Sequence, residues 1–464
     1  MIDLKNVEKY RENNRIEAKK ALGGLPKSIW ETYSAFANTL GGVILLGVEE
    51  YKDKTFHVIG LPDPFGMAEK FRSMLKNKRL VSADILSDGD VTVEEFEGKR
   101  FVAINVPRAH RFDKPVYIEG NIYGGTYRRG GEGDYRCQKK EVDDMLRDAA
   151  RASFDMIPVE MRAEDAFNGD TFNKYRQRLM KLRSSYLQGL ENDFQIAEKI
   201  GVVSRHNSDE YRPSTAGLLM FGKKSKIKTL FPFFSAVYKE KNIFGETVYE
   251  TECENLFEFY LAAEQGVLRG ICLLGISREE ERAVFMAISE ALANSVIHAD
   301  IGIKYPITAC LSPYSFTVTN PGSLRIAPEA IFEGSSDKRN GLIAKMLSLV
   351  SVGGGGVRGI YEVWRKKKWC APILCEDFSP DRVTLMLVFG KECGENKVSA
   401  AETFGRREAI ISYITENIES SCEEIAKLVG ISNESALLML EKLSNEGVFI
   451  SEKRGKTYYY KLKS

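Results

Sequence analysis

The sequence holds no run of apolar residues approaching the roughly 18 needed to cross a bilayer. Its first stretch, MIDLKNVEKYRENNR, is charged and lacks an apolar segment of signal-peptide length. The expectation is therefore a cytoplasmic, reducing location with no membrane partner. The eight cysteines are scattered, without a C-x-x-C pair, and the four histidines are isolated. That excludes a zinc ribbon, a disulfide framework and a His/Cys metal cluster. There is no GxxxxGK[ST] phosphate loop, so no strand-separating motor of that type is expected. A net charge of +1 gives no global basic signal, and any nucleic-acid surface must be local. What remains is ordinary for a globular protein: 43% hydrophobic and 28% charged residues. A chain of 464 residues is long enough for about two to four domains, each with its own core.

Against this plain background, residues 290 to 300, EALANSVIHAD, stand out. They are mostly small and apolar, and Glu290 and Asn294 are four apart, so on a helix they share one face. A carboxylate and a carboxamide one turn apart can hold a hard cation and orient a water. A buried helix with two satisfied polar residues would read the same way. Residues 316 to 324, FTVTNPGSL, form a strand pattern broken at Asn320-Pro321-Gly322. Residues 351 to 361, SVGGGGVRGIY, place Gly353, Gly354, Gly355 and Gly356 in succession, and Gly359 opens a helix pattern. Such backbone suits close approach to a ligand, above all to phosphate oxygens at a helix start.

The order of helix, strand-end turn and glycine loop resembles the ATP site of the gyrase, histidine-kinase and MutL superfamily. The resemblance implies that Asn294 is a magnesium ligand and Glu290 the base that activates water. It places Asn320 and Gly322 in the adenine turn, and Gly353 to Gly356 with Gly359 in a lid over the phosphates. The family usually has Asp in the adenine turn. Asn320 can accept one hydrogen bond from the adenine amino group but is neutral, so ATP binding is implied and hydrolysis is left open. Residues 335 to 363, which include Arg339 and Asn340, resemble bacterial proteins that join this module to a Schlafen-type N-terminal domain. Arg339 and Asn340 are therefore nucleotide-site candidates by resemblance.

The N-terminal part agrees. Residues 34 to 50, SAFANTLGGVILLGVEE, read as a helix stopped at Gly41-Gly42, then a buried strand ending in acid. With Glu12 and Glu17-Ala18-Lys19 before it, the stretch resembles the Schlafen-type, AlbA-like nucleic-acid-binding domain. Further on, Tyr127, Arg128 and Arg129 set an aromatic beside two cations, a combination suited to stacking and phosphate contact. An exposed hairpin with ordinary surface arginines fits equally. Some Schlafen proteins cut RNA with three clustered acids. By that resemblance Glu12 and Glu17, with Glu49 or Glu50, would hold Mg2+ or Mn2+ against a phosphate, steadied by Lys19.

At the other end, residues 403 to 464 read as three helices and a hairpin, a winged helix-turn-helix with Lys453, Arg454 and Lys456 in the wing. Ser421 and Glu424 make a capping box. The expected architecture is α+β and multi-domain: a Schlafen-type mixed domain at 1–152, a helical linker at 153–213, a helix-on-sheet ATPase-like domain at 214–392, and the winged helix. Residues 214 to 223, STAGLLMFGK, read as a buried strand. The expected function is a nucleic-acid-binding, nucleotide-responsive transcriptional regulator with ATP and Mg2+ as cofactors, probed as DNA or RNA partner, in a homo-oligomer. The alternatives are a Schlafen-type metal-dependent endonuclease, which suits a defence role, and a weak ATPase.

Overall fold

Residues Ile16–Lys19, in a highly charged stretch, form a strand that their composition did not announce. A computed structural model describes residues 15–390, except 52–54, 131–132, 151–152, 191, 208–209, 243–244 and 379, and beyond them parts of residues 414–462. The N-terminal domain runs through β1 (Ile16–Lys19), α1 (Ile29–Asn38), β2 (Gly42–Leu46), β3 (Val48–Glu50), β4 (Phe56–Val58), α2 (Pro64–Leu75), β5 (Val91–Phe96), β6 (Lys99–Val106), β7 (Tyr127–Gly130), β8 (Gly133–Arg136) and α3 (Lys139–Ala149). One sheet has the order β1-β2-β6-β5, with β1 parallel to β2 and the other pairs antiparallel. Alternation along β2 sends Ile44 and Leu46 to a core with Tyr33 and Phe36 of α1, and Leu45 to a smaller core with Phe56 and Phe101. The helix stop is a glycine for a steric reason. Gly41 has φ +74°, and a Cβ there would lie 2.7 Å from the Val106 carbonyl oxygen. Asn38, at the end of α1, is buried. Its amide donates to the carbonyls of Val116 and Tyr127 and accepts from the Val116 N–H, tying two later segments to the helix.

The second body contains α4 (Ala163–Ala166), α5 (Gly169–Arg183), α6 (Asp193–Ile200), β9 (Val203–Asn207), β10 (Glu210–Pro213), α7 (Thr215–Phe221), α8 (Lys224–Leu230), β11 (Ala236–Lys241) and β12 (Thr247–Glu252). It continues with α9 (Leu256–Ile271), α10 (Arg278–His298), β13 (Ile307–Leu311), β14 (Ser315–Pro321), α11 (Pro328–Phe332), α12 (Gly341–Val350), α13 (Gly356–Lys367), β15 (Ile373–Phe378) and β16 (Asp381–Val388). A six-stranded sheet has the order β12-β11-β13-β14-β16-β15, with only β11 and β13 parallel among its pairs. Helices α9 and α10 pack on it, and α13 packs on α10. Residues expected to form a linker share this body's core: Tyr175 and Leu179 of α5 and Ile196 of α6 are buried in the same cluster as Phe257, Leu292 and Trp364.

The strand expected at residues 214–223 is corrected here. It is the helix α7, capped by Ser214, whose hydroxyl accepts from the Gly217 N–H at 3.0 Å. Every residue of α7 is buried, so its apolar run carries no periodicity to distinguish helix from strand. The fold is thus mixed α+β with several sheets.

Toward the C-terminus, β17 (Glu419–Ser421), β18 (Phe449–Arg454) and β19 (Thr457–Leu462) form a sheet in the order β17-β19-β18. The helix Cys422–Val429 follows β17, with the expected capping box: the Glu424 carboxylate accepts from the Ser421 N–H at 2.8 Å, and the Ser421 hydroxyl accepts from the Glu424 N–H. Most of the expected third helix lies outside the described residues. Among the described residues, no helix is long and apolar enough to cross a membrane.

Candidate functional site

Helix α10 opens with a capping box between Ser277 and Glu280 and runs 21 residues. Ala291, Leu292, Ala293, Ser295 and Val296 of its second half are buried, while Glu290, Asn294 and His298 recur every fourth residue and are only part-buried. Asn294 and His298 line a cavity of about 240 Å³, and Glu290 stands beside it. The Asn294 amide donates to Glu290 Oε1 at 3.4 Å. Burial pushes the Glu290 carboxyl above the usual carboxylate range, although the Asn294 amide and the Gly356 N–H pull the other way.

The opposite wall comes from β14. Its end carries Asn320, 6% exposed, which also lines the cavity. The Asn320 amide donates to its neighbour's carbonyl, Pro321 O, at 3.3 Å, which leaves its own oxygen able to accept. Gly322 follows at φ +105°, where a Cβ would meet Asp300 Cβ at 3.0 Å. The glycine loop closes a third side. Gly355 and Gly356 line the cavity with φ of +90° and +60°, and α13 starts there. Gly353 presses on α10: a Cβ would lie 2.8 Å from the Glu290 backbone nitrogen. Gly354 has open space around it, and Gly359 sits inside α13, donating to the Gly355 carbonyl at 2.9 Å.

Arg339 also borders the cavity, but its guanidinium is engaged. It donates to the carbonyls of His298 and Ser323 and pairs with Asp148 and Asp300. Asn340 does not line this cavity. Its amide donates to the carbonyls of Val296 and Ala299 and closes the end of α10. The sequence reading passed over His298, Arg325, Asp337 and Arg358, which line the same cavity. His298 lay inside the motif stretch and was the one with a readable signal, being four residues after Asn294.

The N-terminal acids are arranged differently. Glu12 lies outside the described residues. Glu17 pairs with Lys19 and Arg129, each at 2.9 Å, and Glu49 pairs with Lys20 at 2.5 Å. Among the described residues no group of three His, Cys, Asp or Glu side chains is placed to hold a metal ion. Tyr127 is buried, with its hydroxyl donating to Glu31. Arg129 is buried and pairs with Asp134 as well as Glu17. Arg128 makes two 2.9 Å bonds to Asp381 in the second body. The hairpin β7–β8 therefore turns these cations inward, toward carboxylates. At the C-terminal sheet Lys453 is exposed above the Tyr458 ring, Arg454 ends β18, and Lys456 lies outside the described residues.

Comparison with known proteins covers two stretches. Residues 12–138 match the family described as Schlafen, AlbA_2, and residues 143–236 match a domain of unknown function, DUF8451. No curated protein matches the chain. Among solved structures, the solution NMR structure of the N-terminal domain of an ATP-dependent DNA helicase RecG-related protein from Nitrosomonas europaea is 33% identical. It aligns over 27% of this chain and 83% of that one, with a TM-score of 0.22. The crystal structure of the DIP2311 protein from Corynebacterium diphtheriae is 15% identical, with 97% of this chain and 95% of that one covered, at a TM-score of 0.40. The N-terminal domain of this chain, over residues 12–138, is thus AlbA-like.

Proposed function

We propose that this protein is a nucleic-acid-associated regulator that responds to a nucleotide, ATP with Mg2+, held in the cavity between α10, β14 and the glycine loop. The observation that carries the reading is the convergence on one space of Asn294, Asn320, Gly355 and Gly356, with Glu290 beside it. The residues present fit such a group. Asn294 and Glu290 offer a neutral and an anionic oxygen one turn apart, suited to a hard cation. Gly353 lies so close to α10 that no side chain can intervene, and α13 starts from left-handed backbone at Gly355 and Gly356, a helix start of the kind that suits phosphate oxygens. A bound magnesium–nucleotide pair would supply concentrated charge at this wall. Asn320 would accept from an adenine amino group, and the loop over residues 353–356 would close on the phosphates. The AlbA-like domain supports association with nucleic acid, and the sheet β17-β19-β18 with its preceding helix suits a winged helix that contributes Lys453 and Arg454. A full-length homo-oligomer in the cytoplasm completes the reading.

The test is a mobility shift with duplex DNA, single-stranded DNA and structured RNA, each with and without Mg2+ and ATP, beside calorimetry with ATP. Absence of both a shift and any ATP affinity overturns it. Metal-dependent cleavage by Glu12, Glu17 and Glu49 has less support, because Glu17 and Glu49 are already neutralised by Lys19, Arg129 and Lys20. Incubation of labelled transfer RNA with protein and Mn2+ decides it: cleavage lost in Glu17→Ala would favour the nuclease.

A further inference from the structure

A second cavity, of about 320 Å³, lies on the far side of residues 323–325, where the AlbA-like domain meets the six-stranded-sheet body. Lys114, Arg128 and Lys140 reach it from one side, Lys304 and Arg325 from the other. The carboxylates in its walls are already engaged: Asp148 with Arg325 and Arg339, Asp300 with Arg147 and Arg339, Asp381 and Glu141 with Arg128, Glu141 also with the Gln138 N–H, and Asp144 with Arg147.

The lysines are not committed. The Lys114 ammonium donates to the Asn38 carbonyl at 3.2 Å and, among the described residues, has no carboxylate within 4.0 Å. Burial, with the nearby charges of Arg108 and Arg128, holds it well below the ordinary lysine range. Lys140 and Lys304 come from different bodies and stand 5.8 and 5.5 Å from the centre of the same Phe233 ring. Both are exposed, and neither has a carboxylate within 4.0 Å among the described residues, so burial leaves a donor unpartnered only at Lys114. An ammonium carries three donors, and here at most one of the three on Lys114 is satisfied. Buried charges and donors in folded proteins are normally partnered. The uncommitted charge of this cavity is therefore positive, and its unused donors come from both bodies.

We propose that this cavity binds the phosphate group of a small phosphorylated ligand, which thereby bridges the AlbA-like domain and the six-stranded-sheet body. A phosphate carries more than one negative charge and several acceptor oxygens, which matches the amines of Lys114, Lys140 and Lys304 better than a single carboxylate does. A cavity of about 320 Å³ between two bodies is of a size for a small phosphorylated molecule. The Phe378 ring, 5.1 Å from the Arg128 guanidinium, offers a flat face beside the phosphate position. This site is independent of the nucleotide reading of the first cavity.

The test uses the full-length protein and inorganic pyrophosphate without Mg2+, followed by titration calorimetry and thermal melting. Wild type is expected to bind and to melt higher. Lys304→Met and Lys140→Met should each weaken binding about tenfold or more, and Lys114→Met should abolish it. Asn294→Ala, in the first cavity, should bind pyrophosphate as wild type does. No binding by wild type, or binding as tight as wild type in both Lys304→Met and Lys140→Met, overturns the proposal. These two lysines decide the matter even if Lys114→Met fails to fold. Loss of binding in Asn294→Ala with retention in the lysine variants would move the anion to the first cavity and overturn this one. Displacement of pyrophosphate by a short single-stranded oligonucleotide, sensitive to Lys304→Met, would assign the donors to a nucleic-acid backbone and overturn the small-ligand assignment.

Discussion

Glu290, Asn294 and His298 form a stripe along α10, yet each does something different with its position. Asn294 offers a neutral oxygen where Glu290 supplies charge. Replacing Asn294 with Ala should weaken Mg2+-dependent ATP binding about tenfold to hundredfold, the equivalent of roughly 1.5 to 3 kcal/mol, while leaving the melting temperature nearly unchanged. Glu290→Gln should weaken ATP binding less than Asn294→Ala does and slow any hydrolysis, because it keeps the shape and removes the base. Calorimetry on the two variants separates these roles; equal losses in both would refute the assignment. His298 yields a pH prediction. Burial, followed by the charges of Arg339 and Arg325, lowers its pKa from 6.5 to about 4. The folded state thus resists protonating a group that the unfolded chain protonates readily. The resulting stability is complete above pH 6.5 and is lost as pH falls toward 4, a loss of roughly 3 kcal/mol. Buried carboxyls such as Glu290 titrate with the opposite sign, so the comparison is wild type against His298→Gln in urea melts across that range. A curve equally steep in both would sink the attribution. Of this stripe the sequence made two members legible through their spacing. The third shares that spacing, but a lone histidine near a helix end carries no signal of its own burial.

At the scale of elements, the glycine loop offers an internal control. A Cβ on Gly353 would meet the Glu290 backbone nitrogen at 2.8 Å and its Cα at 2.9 Å, atoms of a packed helix that cannot yield. A Cβ on Gly354 would meet nothing within 4 Å, and its φ is not positive. Gly353→Ala is therefore expected to destabilise by about 1 to 3 kcal/mol and to lift the loop from α10. Gly354→Ala should be neutral or gain up to about 1 kcal/mol through the unfolded state. Denaturant midpoints measure both, and matched values for the pair would show that the loop does not seat on α10 as described. Elements with a clear period or a clear stop were legible: α1, stopped before Gly41-Gly42, and α10. Those without a period were not. Helix α7 is buried on all sides, so its apolar run read as a strand, and the true signal was the capping Ser214. Strand β1 is short and charged, and its pairing with β2 comes from residues 27 positions away, Ile16 opposite Val43.

At the scale of the whole molecule, the near-zero net charge concealed an organised interface. Arginines that read as a nucleic-acid surface instead reach across to the second body, as Arg128 does to Asp381, 253 residues away. No local pattern could report such pairs. Arg108 with Glu376 at 2.5 Å, Arg111 with Asp337 at 2.5 Å, and Arg147 with Asp300 at 2.5 Å join the same two bodies. Asp148, on α3, joins the two bodies through two further arginines, accepting from Arg325 at 3.0 Å and from Arg339. Burial raises its carboxyl, and the two guanidiniums outweigh that, holding it below the usual carboxylate range. Removing it leaves two buried cations with one acid fewer. Breaking a buried pair in this way costs about 3 to 5 kcal/mol. Asp148→Ala should therefore lose stability on that scale and separate the melting of the AlbA-like domain from that of the second body in scanning calorimetry. Arg100→Ala breaks only the exposed pair with Glu95 and should change stability by less than about 1 kcal/mol. The contrast tests position rather than charge, since each substitution removes one member of an ion pair. If Asp148→Ala melts as one transition within 1 kcal/mol of wild type, the two bodies are coupled by packing, and the arginines at their boundary serve the ligand between them instead of the joint.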